Sequence, residues 1–314
     1  MTVHFAEITL QFHAITPPAM AAIGFSVMLA QAAFAAQSVT PPQAGHAELA
    51  TCADPYSLPY ASDKQPGFEN RIADLLAADQ QANLRYTWYG ATRGFLRRTL
   101  LAGACNVVIG LPTALPDVPI AVTKPYYAAS YVVVTRAGDA RHFTSFDDAW
   151  LKSAKLGVML LGDDEATTPP QNALTSRGIT QHITGYPMRS TRDVVNPQDR
   201  IIEAVADGTI DAAFVWGPIA GYFAKPHGAA LRLEPVTADP KNPELQFVYA
   251  MSMGVRKDDT VLRDRLQGAI DRHRSEIAAI LSDYGIPTVP LTEPHIQLSA
   301  NVAAQKAGSP PSAH

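Results

Sequence analysis

The sequence predicts an α/β fold of two similar lobes, each with a parallel-rich sheet, joined by two segments that cross between them. Two observations carry this. A strand–loop–helix–strand–helix–strand pattern occurs twice, and an extended β-rich run follows each copy. The punctuation of the copies also matches: Gly103-Ala104-Cys105-Asn106-Val107-Val108-Ile109 aligns with Gly208-Thr209-Ile210-Asp211-Ala212-Ala213-Phe214. The offset of about 105 residues is too long for a solenoid repeat. It suits two lobes whose parallel strands have right-handed crossovers.

The first copy opens with strand 48–53, ELATCA, which runs into a loop holding Asp54, Pro55, Tyr56, Pro59 and Tyr60. A helix over 67–79 follows, with Phe68, Ile72, Leu75 and Leu76 on one face of a 3.6-residue period. Strand 84–89 alternates, and a helix spans about 93–102 with Phe95, Leu96, Thr99 and Leu100 on one side. Ala102-Gly103 is a helix stop. In strand 105–110 the unbroken Val107-Val108-Ile109 suits a parallel strand buried on both faces.

The second copy has strand 155–162, loop 163–170, a helix at about 169–177 ending at Gly178, strand 181–186, helix 198–208 and strand 209–217. The extended runs are 130–139 and 246–258. The chain therefore passes from lobe one to lobe two and returns. Two crossings make a hinge, and a hinge makes a closable cleft. A last helix runs from about Asp259 to Tyr284, with Leu262, Leu266, Ile270, His273, Ile277, Ile280 and Leu281 on one stripe, and Gly285-Ile286-Pro287 stops it. The domain reading is a signal peptide over 1–36, a linker over 37–47, lobe one over 48–134 plus 250–290, lobe two over 135–249 with the hinge segments, and a disordered tail over 291–314.

Length and composition fit this plan. The 314 residues are 47 % apolar and 17 % charged, with net charge −4. There is no Lys/Arg run, which excludes a basic nucleic-acid footprint. Residues 20–36 are almost wholly apolar or small, too short for a comfortable membrane span. They end in Ala33-Phe34-Ala35, a cleavage pattern that points to export into the periplasm. The segment before them lacks Lys and Arg and carries Glu7, which also fits a buried or anchoring helix or a start codon assigned too early. Cys52 and Cys105 show no metal-like spacing. In an oxidising compartment the pair reads as a disulfide or as two buried thiols. Because the strands that hold them should be neighbours in one sheet, the disulfide is favoured.

Catalytic patterns are missing. There is no G-x-S-x-G, H-E-x-x-H, G-x-G-x-x-G or Walker A. Three of the nine His precede residue 47 and two follow residue 294. Asp163-Asp164-Glu165 lacks the spaced ligands of a cation loop and reads as carboxylates before a helix. No metal and no cofactor are expected.

Ligands of open α/β sheets bind beyond the carboxyl ends of strands. There the sequence places aromatic and apolar residues. Lobe one offers Asp54, Tyr56, Tyr60, Phe68, Glu69, Trp88, Leu111, Tyr126 and Tyr127, with Arg93 as the one good cation. Lobe two offers Asp163, Asp164, Thr168, Trp216 and Tyr222. Trp216-Gly217-Pro218 sets a large aromatic where a strand ends and the chain turns. Such a crevice suits a weakly polar ligand or an apolar segment of a partner protein.

The segments CADPYSLPYAS, GFENRIADLLA, RYTWYGATRGFLRRTLLAGACNVVIGLP, TKPYYAASYVVVTR, LGVMLLGDDEATTPP, DAAFVWGPIAGYFAK and SMGVRKDD resemble the extracytoplasmic solute-binding proteins of family 3 over about residues 48–290. More narrowly they resemble the quinoprotein-dehydrogenase-associated branch. These are accessory proteins encoded beside periplasmic methanol dehydrogenases that use pyrroloquinoline quinone (PQQ). The resemblance implies the two-lobed periplasmic binding fold, type II or Venus-flytrap. It also implies a non-catalytic role in maturing or activating such a dehydrogenase, which is then the expected partner. Amino-acid binders that resemble this fold hold the ligand carboxylate with an Arg after the third strand and its amine with an Asp in the second lobe. Here LPTALPDVPIAVT has Asp117 and no Arg, and the second-lobe strand ends in Trp216-Gly217-Pro218. An importer subunit for a small, weakly polar solute is the alternative. An enzyme using Asp54, Glu69, Asp163 and Asp164 is a third reading, for which no acid–base pair is evident.

Overall fold

The computed structural model describes residues 47–115, 118–161 and 166–291. The expected signal peptide, nearly all of the linker and tail, and Asp117, Asp163 and Asp164 lie outside the described residues.

Strand β1 (Glu48–Ala53) pairs in parallel with β4 (Asn83–Trp88). Between them a small hairpin, β2 (Tyr56–Ser57) and β3 (Ala61–Ser62), fills the loop before α1 (Phe68–Asp79). The Asn70 side chain fastens that loop to the helix, accepting from the backbone N–H of Gly67 at 2.8 Å and of Ser62 at 3.0 Å. Gly67 is required at this point. A Cβ there would stand 2.1 Å from the Tyr60 carbonyl oxygen. The apolar stripe of α1 is buried as its spacing predicts, with Phe68, Ile72 and Leu76 fully enclosed.

The helix expected at 93–102 is one turn, α2 (Phe95–Arg98). It begins only after Gly94, at φ 87°, and ends at Thr99, at φ −118°. Next come β5 (Val108–Pro112), β6 (Ile120–Val122) and the ten-residue β7 (Tyr127–Arg136). The strand expected from 105 therefore starts later. Before it, a short parallel bridge joins Thr51 to Val107, and the Asn106 side chain adds to it, accepting from Ala50 N–H at 2.9 Å and donating to the Glu48 carbonyl at 3.0 Å. Beside it, Cys52 and Cys105 form a disulfide, their Cα atoms 5.5 Å apart.

The second half contains β8 (Leu156–Leu160), α3 (Pro169–Thr175), β9 (Ile183–Pro187), α4 (Asp199–Ala206), β10 (Ala212–Trp216), α5 (Gly217–Ala224) and β11 (Leu231–Val236). Then follow β12 (Val248–Arg256), α6 (Thr260–Arg272) and α7 (Arg274–Asp283). The single helix expected after Asp259 divides at His273, which leaves helical geometry at φ −106°, ψ 25°. There its imidazole meets Asp79 of α1 at 2.9 Å. Ile277 and Leu281 still continue the buried stripe.

The crossing runs are both strands of one sheet, ordered β5-β12-β7-β10-β8-β9, with β6 on β12 and β11 on β7. Residues Tyr127–Ser130 of β7 pair with β12, and Tyr131–Arg136 pair with β10 and β11. β8 lies parallel to both β10 and β9, as expected for a doubly covered sheet. One core gathers around β7, β8, β10 and α4, and another around α1, β12, α6 and α7. Tyr60, Trp216 and Tyr249 pack against both.

A tight contact was not anticipated from the sequence. A Cβ on Gly221 of α5 would stand 2.0 Å from the Gly285 carbonyl oxygen, and one on Gly217 would stand 3.2 Å from the Pro287 ring. Val289 forms a bridge to Ala128 of β7. The stretch after α7 thus lies against α5 and the start of the crossing strand β7. Among the described residues no helix is long and apolar enough to cross a membrane.

Candidate functional site

A pocket of about 330 Å³ opens where the cores meet, lined by Tyr60, Pro112, Tyr131, Met159, Leu161, Trp216, Ile219, Tyr249 and Met251. The strand plan explains the gathering. Tyr131 and Tyr249 lie on the crossing strands β7 and β12, Trp216 ends β10, and Tyr60 comes from the loop that α1 anchors. Trp216 is the hub. Its ring meets Tyr131 edge-on at 5.4 Å and Tyr249 at 5.5 Å between centroids. Its backbone N–H points at the Met159 sulfur, 3.0 Å away. Its side chain is hydrogen-bonded to the Tyr60 hydroxyl. Burial holds the hydroxyls of Tyr60 and Tyr131 well above the usual phenol range, so both stay neutral. The walls therefore offer aromatic edges, thioethers and phenol hydroxyls, and no charge.

A second chamber of about 260 Å³ shares Tyr60 and Met251 with the first and reaches back to the disulfide. Asp54, Glu69, Phe95 and Leu111 also line it. The Asp54 carboxylate is held by the backbone N–H groups of Tyr56 at 2.8 Å and Ala91 at 2.6 Å. Glu69 differs. No donor among the described residues reaches its carboxyl, and burial alone pushes its pKa up to about 8.

The sequence-expected residues thus fall into groups. Tyr60 and Trp216 line the larger pocket, and Asp54, Glu69 and Leu111 line the chamber beside it. Phe68, Tyr126 and Tyr127 are buried core: Phe68 packs between the rings of Tyr60, Tyr127 and Tyr284, and the Tyr126 hydroxyl donates to the Ile109 carbonyl at 3.1 Å. Trp88 stacks on Tyr86 at 4.6 Å along β4. Arg93 is exposed in the loop before α2, and Tyr56 is half-buried in β2. Thr168 is fully buried at the start of α3. Tyr222 stacks on Tyr284, and its hydroxyl accepts from Gln65 at 3.2 Å. Asp163 and Asp164 lie outside the described residues. Sequence reasoning missed Tyr131, Met159, Leu161, Ile219, Tyr249 and Met251. The available signal was that Tyr131, Tyr249 and Met251 sit on the crossing runs, which border any cleft between lobes. Among the described residues no group of three or more His, Cys, Asp or Glu is placed to hold a metal ion.

Two α/β lobes that share the long crossing strand β7 define a type II periplasmic binding protein. Comparison with known proteins narrows this. The chain belongs to the XoxJ family of periplasmic binding proteins. It is 30 % identical to the crystal structure of periplasmic binding protein XoxJ from Methylobacterium extorquens AM1, covering 77 % of this chain and 99 % of that one, with a TM-score of 0.62. Protein MoxJ of Methylorubrum extorquens is 29 % identical over 262 residues, 80 % of this chain and 84 % of that protein. The crystal structure of MxaJ from Methlophaga aminisulfidivorans MPT has the same fold, at TM-score 0.65 and 24 % identity, with 77 % and 100 % of the two chains covered. No family model matches the chain.

Proposed function

We propose that this protein is a non-catalytic periplasmic accessory protein of a PQQ-dependent methanol dehydrogenase, and that it engages the enzyme, during maturation or activation, through the aromatic cleft between its lobes. The observation that carries the reading is the uncharged wall around Trp216, with Tyr60, Tyr131 and Tyr249 as ring neighbours and Met159 and Met251 as adaptable fill. A zwitterion would find no charge partner there. An apolar side chain of a partner would find rigid aromatic surface, the usual anchor of protein recognition. The likeness to XoxJ and MoxJ, together with the sequence motifs of the dehydrogenase-associated branch, supports the choice of partner.

The test is retention of the dehydrogenase on immobilised mature protein. Wild type is expected to retain it, Trp216→Ala to retain markedly less, and Trp216→Phe to recover part of the difference. A gene deletion that leaves methanol dehydrogenase activity and assembly unchanged sinks the reading. Delivery of a small, weakly polar solute to an importer is the second reading, favoured by the pocket's volume of about 330 Å³, which lies in the range of small-ligand sites. Thermal stabilisation by such a solute, without dehydrogenase retention, distinguishes it.

A further inference from the structure

The acidic chamber behind the aromatic pocket has no part in the function proposed above. Its walls hold two carboxyl groups, Asp54 and Glu69, and no Lys, Arg or His. Anions are therefore disfavoured by the field of the site. The two acids are not equivalent. Asp54 is pinned by two backbone N–H groups and fixes the turn that leads out of β1. Glu69 sits on the first turn of α1, on a rigid helix, with its carboxyl facing the chamber and no hydrogen-bond donor among the described residues. A partly buried carboxyl that opens on a chamber can take its donor from a molecule in that chamber.

The neighbouring strand makes room for this carboxyl. A Cβ at Gly110 of β5 would stand 2.0 Å from Glu69 Oε1 and 3.0 Å from its Cδ. Any other residue at 110 would push the carboxyl aside. The aromatic side chains Tyr60 and Phe95 also line the chamber, a residue type that attracts cations. It joins the uncharged pocket through the shared Tyr60 and Met251. A molecule with a charged head in the chamber would therefore lay an apolar body against Trp216.

We propose that Glu69, seated in the space that Gly110 leaves free, is the anchor of a binding site for a primary ammonium group carried on an apolar or aromatic body. The ammonium would donate to the Glu69 carboxylate and sit within the field of Asp54. The site rests on the same cleft as the proposed function, and asks of it only that the pocket be open to a small molecule. On binding, Glu69 gives its proton to solvent at neutral pH, because a cation beside a carboxyl favours its ionised form. The groups that face Glu69 are Asp54 across the chamber and the hydroxyls of Tyr60, Tyr86, Tyr126 and Tyr127. Burial raises all four phenols above their ordinary value, so none of them competes as the proton source.

The experiment is calorimetric titration of the mature protein at pH 7 with 2-phenylethylammonium chloride, 2-phenylethanol and phenylacetate. These probes share a body and differ in head charge. The ammonium is expected to bind best, and its heat is expected to vary between buffers of different ionisation enthalpy, showing proton release. Glu69→Gln keeps the shape of the side chain and is expected to weaken the ammonium about tenfold or more, the usual worth of a charge-assisted hydrogen bond. It is expected to leave 2-phenylethanol unchanged. Gly110→Ala keeps the acid but displaces it and is expected to weaken the ammonium as well, with thermal melts confirming that both variants fold. The proposal is overturned if the alcohol binds as tightly as the ammonium, if the ammonium does not bind, or if Glu69→Gln leaves its affinity unchanged. Dehydrogenase retention, measured separately with Trp216→Ala, is independent of all three results.

Discussion

Glu69 makes a second, purely thermodynamic expectation possible. Its ordinary value is 4.5 and the fold raises it to about 8. Below the ordinary value both folded and unfolded chains hold the proton, and there is no effect. Between the two values only the folded chain holds it, so stability falls steadily as pH rises. Above about 8 the loss is complete and constant. Glu69→Gln removes this dependence. Its melting temperature is expected to gain on wild type from about pH 5 to pH 8 and to hold a constant lead above that. A lead that does not grow with pH would place the carboxyl in water. Trp216 is the other decisive residue. Because its ring packs against both cores, Trp216→Ala is expected to cost about 2 kcal/mol, below the full core value since the ring is partly exposed. Urea unfolding reads that cost directly.

At the scale of elements, the stretch after α7 is bound to α5 by glycine contact. Gly221→Ala forces a methyl against the Gly285 backbone and is expected to destabilise by about 1–3 kcal/mol. Gly138→Ala, with open space around the added methyl, is the control. Removing the Cys52–Cys105 disulfide by a double change to Ala is expected to cost about 2–5 kcal/mol, seen as a lower melting temperature that reductant then no longer shifts. The strands were the most legible elements, because unbroken apolar runs such as Val107-Val108-Ile109 and Val132-Val133-Val134 have few other uses. Helices were less so. The segment 93–102 has helical spacing, yet Gly94 and Thr99 confine it to one turn. Helix α5 went unseen because Trp216-Gly217-Pro218 reads as a turn, although a proline near a helix start is equally a beginning. The break at His273 depends on Asp79, distant in sequence, and no local pattern announces it.

At the scale of the molecule, the two-lobed plan was legible from one repeated unit and two extended runs. Of the residues that line the two pockets, those near strand ends were legible, as at Tyr60, Trp216 and the Asp54 loop. Tyr131, Tyr249 and Met251 escaped because they belong to β7 and β12, which read as connections and are also walls. Phe68, Tyr126 and Tyr127 were expected at the cleft and lie in the core, since an aromatic near a strand end has either destination open to it until packing decides. The shared sheet also sets an expectation for motion. Small-angle scattering of the mature protein is expected to give the same radius of gyration with and without a bound small ligand. A clear contraction would show that the lobes swing on a loose hinge.

The continuity of β7, which pairs with β12 at its start and with β10 and β11 further on, has a mechanical meaning. A body joined by loose cords opens like a door, and its visitors wait for the door. A body whose halves are laid along one continuous strand is expected to behave like a leaf spring, flexing a little about one resting shape. On the proposed reading, a partner segment arriving at such a groove would meet a standing surface, and the time it stays would be set by how well it fits the rings around Trp216.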